Sequence, residues 1–171
     1  EKDMAPIGYS DIPRITYGFS GSVSYKGFDF SVLFSGIGQA SRYYQGNGIW
    51  EYSLAGFYSG YHLKAWTEER YKNGEEILYP ALGTSKGTSQ VANNFFIMDR
   101  SFLRMKNIEL GYTFPKDLLK RVSINNLRLF ISGNNLLTWS KLPVNTIDPE
   151  QSAAVSYPIT KMVNFGLNVS F

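Results

Sequence analysis

The stretch MVNFGLNVSF, residues 162–171, carries an apolar side chain at every second position. Val163, Phe165, Leu167, Val169 and Phe171 share one phase; Met162, Asn164, Gly166, Asn168 and Ser170 share the other. Successive side chains of a strand point to opposite faces, so this pattern describes a strand with one apolar and one wetter face. Chain ends usually fray in solvent. A terminal strand that closes on Phe171 therefore needs neighbours to hold it.

The same alternation recurs upstream. Residues 15–25 (ITYGFSGSVSY) place Ile15, Tyr17, Phe19, Val23 and Tyr25 opposite Thr16, Gly18, Ser20, Ser22 and Ser24. A turn signal at Lys26-Gly27 leads into residues 28–36, where Phe28, Phe30, Val32 and Phe34 form the apolar side. These are long strands, close to the roughly 9–11 residues that cross a bilayer at a tilt. Residues 101–114 set Ile108, Leu110, Tyr112 and Phe114 against Asn107, Glu109, Gly111 and Thr113, while Leu103 and Met105 take the other phase. That shift predicts either a bulge near Lys106-Asn107 or a strand that continues above the membrane. Pro115 ends it, 115–125 reads as a short helical turn, and 126–136 is a strand with Leu127, Leu129 and Ile131 on one side. A loop over 137–158 leads to the final strand, 159–171. Residues 37–100 lack strand periodicity and hold one expected helix near 62–73, ended by Gly74.

Short and long connections thus alternate, as they do in transmembrane barrels with brief periplasmic turns and long outer loops. In that orientation Phe171 lies at the periplasmic edge and residues 1–14 belong to an outer loop. Five strands cannot close, since the smallest such barrels have about 8. The expected fold is therefore all-β: the C-terminal portion of a larger antiparallel transmembrane β-barrel, with residues 1–171 as part of one barrel domain. Composition agrees. Aromatics make up 16% and charged residues only 18% of the chain, which disfavours both disorder and a helical bundle. A mean hydropathy of −0.20 is compatible with a barrel, because lipid-facing and polar residues alternate. With no cysteine, neither disulfides nor thiolate metal sites are available. A net charge of +3 is too small to argue for nucleic acid.

Several blocks in order closely resemble the C-terminal region of SusC/RagA-type TonB-dependent outer-membrane transporters. They are DRSFLRMKNIELGYTFPKDLL (99–119), NLRLFISGNNLLTWSK (126–141), IDPE (147–150) and YPITKMVNFGLNVSF (157–171). HLKAWTEERY (62–71) and NNFFIMDRS (93–101) match the long loop of that family. The resemblance implies a barrel of about 22 strands in the outer membrane of a Gram-negative bacterium. It further implies a plug domain, absent from this chain, and energy from TonB acting through the missing N-terminal region. A SusD-like surface lipoprotein would serve as lid, and the substrate would be an oligosaccharide or a peptide. Val163, Phe165, Leu167, Val169 and Phe171 resemble the signal read by the barrel-assembly machinery, for which an unpaired edge strand offers backbone groups.

Chemistry-bearing candidates are sparse. Gly36-Ile37-Gly38 lacks the third glycine of a dinucleotide fingerprint. The sole histidine, His62, cannot by itself build a metal cluster. Glu68-Glu69 and Asp148/Glu150 read as solvated loop charge before paired catalytic carboxylates. No enzyme activity and no cofactor is expected. Trp50, Tyr52 and Trp66 are candidate ligand or lid contacts, with packing of the loop as the competing reading. The aromatics Tyr25, Phe28, Tyr112, Phe114 and Phe171 fit an interfacial girdle. The polar phase, including Thr16, Ser20, Ser22, Ser24, Asn107, Glu109 and Thr113, would line the lumen. Arg104, Lys106 and Lys161 fall toward the outer strand ends, where they would meet outer-membrane lipid phosphates or stand solvated. The alternative from another class is a soluble β-sandwich module that binds carbohydrate.

Overall fold

A computed structural model describes residues 6–53, 58–84, 90–91, 93–119, 123–143, 146–153, 155–157 and 159–171. The chain divides into two compact units. One contains residues 16–36, 102–139 and 159–171; the other contains 1–15, 37–101 and 140–158.

The first unit is built on long strands: β1 (Ile15–Tyr25), β2 (Phe28–Gly38), β5 (Phe102–Thr113), β6 (Asn126–Ser140) and β7 (Met162–Ser170). They form one five-stranded sheet in the order β1–β2–β5–β6–β7, so each long strand lies beside the long strand next to it in sequence. Lys26 (φ 48) and Gly27 (φ 88) make the tight β1–β2 turn. Two positive φ values suit the twist of a hairpin and favour glycine. At Gly27 a side chain is also excluded, since a Cβ would come within 2.7 Å of the Thr113 carbonyl oxygen. The Thr113 N–H donates to the Gly27 carbonyl at 2.7 Å, which ties the turn to the end of β5.

β6 and β7 pair antiparallel, with Leu127 opposite Val169, Leu129 opposite Leu167, Ile131 opposite Phe165 and Gly133 opposite Val163. The intervening pairs are Arg128–Asn168, Phe130–Gly166 and Ser132–Asn164. The apolar phases expected for the two strands therefore coincide on one face. Across the other strands, Phe19 stacks on Phe34 at 4.7 Å between centroids, and Phe28 meets Tyr112 at 4.5 Å. Aromatic pairs of this kind add about 0.5–1.5 kcal/mol beyond burial. Gly36 and Gly38 lie inside β2, in strand conformation rather than in a phosphate-cradling turn.

Some boundaries differ from the sequence reading. β6 runs on to Ser140. Asn135 has φ 55, a conformation asparagine tolerates, and this local break in regular geometry interrupts the two-residue pattern while the strand continues. β7 is shorter than 159–171, and Phe171 follows its end.

The second unit has a core of Tyr44, Ile49, Tyr61, Ala65, Tyr79, Phe96, Met98, Leu142 and Ile147. Its two-stranded ribbon pairs β3 (Ser41–Tyr43) with β4 (Ile97–Asp99), so residues 37–100 are not strand-free. The helix expected over 62–73 is two short pieces instead: a 3-10 turn, Gly60–Lys64, and α1 (Glu68–Lys72). Ala65 is extended (φ −68, ψ 155) and bridges to Tyr79, while the Trp66 N–H donates to the Tyr79 carbonyl at 2.8 Å. Thr67 then starts a new helix by accepting the Arg70 N–H at 3.2 Å. A Thr cap is worth about 1 kcal/mol. The short helix expected after Pro115 is present as α2 (Lys116–Leu119).

Candidate functional site

The sheet has two chemically distinct faces. On the apolar one, Val163, Phe165, Leu167 and Val169 align with Leu127, Leu129 and Ile131. Phe165 is 81% exposed and Leu167 57%, and the face also carries the exposed Phe19, Tyr25 and Phe28. Monomeric soluble proteins rarely expose continuous apolar surface beyond a few hundred Å². Near the Lys26-Gly27 turn, Phe28, Tyr112 and Phe114 form one aromatic cluster, the last pair 5.1 Å apart. These are three of the five residues assigned to a girdle.

On the opposite face, Arg128 bridges two carboxylates. Its Nε donates to Asp29 Oδ1 at 3.0 Å, and its Nη2 donates to both Asp29 Oδ2 and Glu109 Oε1, the latter at 2.6 Å. The three residues stand on β2, β5 and β6. Their arrangement depends on glycine: a Cβ at Gly111 would fall 2.4 Å from Arg128 Nη2, and one at Gly166 would fall 2.0 Å from the Phe130 ring. Arg128 in turn lies 5.0 Å above the Phe130 ring centre. Glu109 belongs to the phase read as polar. The parts played by Asp29, Arg128 and Phe130 were missed, although Asp29 and Arg128 each interrupt an apolar run on the opposite phase. One bare apolar face and one polar, ion-paired face make this sheet the wall of a transmembrane β-barrel.

Arg104 corrects the expectation for the outer strand ends. It is 2% exposed, with its guanidinium 5.5 Å above the Phe102 ring, so it faces neither solvent nor lipid phosphate. Lys161 is exposed and Lys106 half-buried.

In the loop unit, Trp50 is partly buried against the aromatic core, 6.4 Å edge-on from Phe96. Tyr52 (φ 55) and Trp66 are 42% and 43% exposed. Trp66 lines a concavity of about 570 Å³ with Leu63, Ala81 and Leu82, bordered by Glu68 and Arg70. The charged rim is already engaged. Arg70 bonds the carbonyl oxygens of Leu63 and Ala65 and pairs with Glu75, and Glu68 pairs with Lys72. Below the surface, the Tyr79 hydroxyl donates to the Glu51 carboxylate, itself 1% exposed. Burial pushes the Tyr61 phenol up to about 12, and burial together with the Glu51 acceptor raises that of Tyr79. These tyrosines serve as neutral packing and hydrogen-bonding groups.

A polar clasp holds the segment before β1. Asp11 accepts from Arg42 Nε and Nη2 at 2.7 and 2.9 Å and from Arg100 Nη1 at 3.2 Å. The Ser41 N–H donates to the Ser10 carbonyl at 3.2 Å. The Arg42 hydrogen bonds hold the Asp11 carboxyl below its ordinary 3.8, against a smaller opposing effect of burial. Among the described residues no His, Asp or Glu group is arranged to hold a metal ion.

No protein-family model matches the sequence. The chain is 29% identical to the TonB-dependent receptor P26 of Formosa agariphila, over 99% of its own length and 18% of that protein. It is also 29% identical to the receptor P3 of the same organism, over 93% of its length and 16% of the relative. The structure of the RagAB peptide transporter superposes with a TM-score of 0.67 at 32% identity, covering 96% of this chain and 18% of that one. The RagAB peptide importer in its open-open state gives 0.64 at 31% identity, with 95% and 18% covered. The chain thus spans less than a fifth of the length of the proteins it matches. In sequence and in fold the chain is similar to one barrel segment of these TonB-dependent receptors and of the RagAB transporter. These relatives are named as receptors and importers, not as enzymes.

Proposed function

We propose that these residues form part of the wall and an outer loop of a TonB-dependent outer-membrane importer of oligosaccharides or peptides. The observation that carries the reading is the two-faced sheet, with Phe165 and Leu167 bare on one side and Asp29, Glu109 and Arg128 paired on the other. A soluble carbohydrate-binding sandwich would bury the face that holds Phe165 and Leu167. The likeness to the RagAB peptide transporter supports peptides as one of the two substrate classes. A surface lipoprotein of the SusD type would close over the outer loops, and Tyr52 and Trp66 are among the exposed aromatics available to it or to substrate. TonB would act through a part of the protein outside these residues, and the apolar phase of β7 would be read by the barrel-assembly machinery. A polar face built of small hydroxyls and paired charge suits contact with a folded plug, whereas an open pore more often carries unpaired charge for ion selectivity. Uptake of peptides or oligosaccharides by cells carrying the protein should vanish when TonB is deleted or the proton gradient collapsed. Unchanged uptake without TonB would replace this reading with a passive channel.

A further inference from the structure

His62 is 4% exposed, and both of its ring nitrogens meet backbone groups. The Ser59 N–H donates to Nδ1 at 2.9 Å, and Nε2 lies 3.0 Å from the Ile49 carbonyl oxygen. A backbone N–H can only donate and a carbonyl can only accept, so the ring is the neutral Nε2–H tautomer. His62 thereby joins two chain segments. Ser59 reinforces the junction, because its Oγ donates to the Gly48 carbonyl at 2.7 Å and accepts the Tyr61 N–H at 3.3 Å.

The groups around the ring come from several segments. The Tyr79 ring is 4.6 Å away and those of Tyr58 and Tyr61 are 5.5 and 6.1 Å away. The buried Glu51 carboxylate stands behind Tyr79, held by its hydroxyl. Toward solvent, His62 shares a concavity with Glu68 and Arg70, whose charges are paired with Lys72 and Glu75, and neighbouring Lys64 is paired with Glu76. The acceptor nearest Nδ1 among these contacts is Ser59 Oγ, 3.4 Å away, which already accepts the Tyr61 N–H that caps the turn, so a proton at Nδ1 would draw on the cap's own hydroxyl.

We propose that His62 is a pH-sensitive pin in the outer loop. A proton taken from solvent at Nδ1 sets two donors, the new ring N–H and the Ser59 N–H, against each other. The Ser59 bond is lost, the cap of the Gly60–Lys64 turn opens, and segment 58–65 separates from segment 46–53. His62 also lines a second concavity with Tyr58, Ser59, Gly60, Leu63 and Leu82, so opening the pin reshapes both hollows. The proposal rests on loop geometry and is independent of the import reading.

Hydrogen–deuterium exchange of the protein in detergent or bilayer, between about pH 8 and pH 5.5, spans histidine titration. After correction for the intrinsic chemical rate, exchange in 46–53 and 58–65 should rise about tenfold at the acid end, as for loss of one to two hydrogen bonds. The strands of the five-stranded sheet should not respond. His62→Asn keeps an acceptor on the Nδ1 side without a titratable group, and His62→Gln keeps a donor toward Ile49. In both variants the loop exchange should be independent of pH. An acid response of equal size in either variant, or none in the unaltered protein, overturns the proposal.

Discussion

Arg128→Met tests the ion cluster on the polar face, because methionine keeps much of the length and none of the charge. Arg128 supplies three charge-assisted hydrogen bonds to Asp29 and Glu109. Removing it also leaves two carboxylates whose oxygens shared one nitrogen and therefore lie within about 5 Å of each other. At an effective dielectric between about 20 and 80, that repulsion is about 1–3 kcal/mol. With side chains 21–34% exposed, water screens part of the lost pairing as well. The total cost should be about 2–4 kcal/mol. Asp29→Asn should cost about 1 kcal/mol, since Arg128 keeps Glu109 and a neutral acceptor. The double variant should be more stable than Arg128→Met alone, because the repulsion is gone, and that non-additivity is the diagnostic. Equilibrium urea unfolding of the barrel in lipid vesicles measures all three. If Arg128→Met costs no more than Asp29→Asn, or if the two effects simply add, the cluster does not hold these strands together as described.

Three further outcomes follow from particular contacts. Asp11 is held below 3.8 in the folded state, so its contribution is present above that value and is lost as pH falls through the folded one. Loop segment 39–43 should therefore lose exchange protection only below about pH 4, and Asp11→Asn should show the same loosening at neutral pH, by no more than about 1 kcal/mol because the pair is half exposed. Leu167→Lys should destabilise the inserted barrel by about 2–4 kcal/mol, against less than about 1 kcal/mol for Asn168→Lys on the other face; equal costs would argue against the assigned faces. Phe171→Asp should lower the amount of protein inserted and leave aggregate in the periplasm, read by heat-modifiable gel mobility; normal surface levels would remove Phe171 from any assembly signal.

What the sequence disclosed was set by periodicity. Period-two patterns in 15–25, 28–36 and 162–171 give the strands, their phases and the Lys26-Gly27 hairpin, because each such pattern comes from burial in a single direction. The phases place Leu129 and Leu167 each on the apolar side of its strand, whereas their pairing is a matter of register that periodicity does not fix. Where two local effects compete, the reading fails. The Trp66 N–H bonded to Tyr79 divides an apparent helix, a tertiary contact that no local pattern announces. Asn135 breaks the phase of β6 without ending the strand. The Asp29–Arg128–Glu109 cluster joins residues up to 99 positions apart, so only the polar phase of each member was legible. Arg104 has the composition of a surface residue and the burial of a core one, which charge alone cannot foretell.

The central claim is that β7 lies in a membrane with alternate residues facing lipid. The chain has no cysteine, so single substitutions from 163 to 170 can carry a label without competition from other thiols in these residues. Fluorophores at 163, 165, 167 and 169 should be quenched by bilayer-confined quenchers, and those at 164, 168 and 170 should be protected from them. A flat profile along 163–170, or an alternation of the opposite phase, would contradict the account.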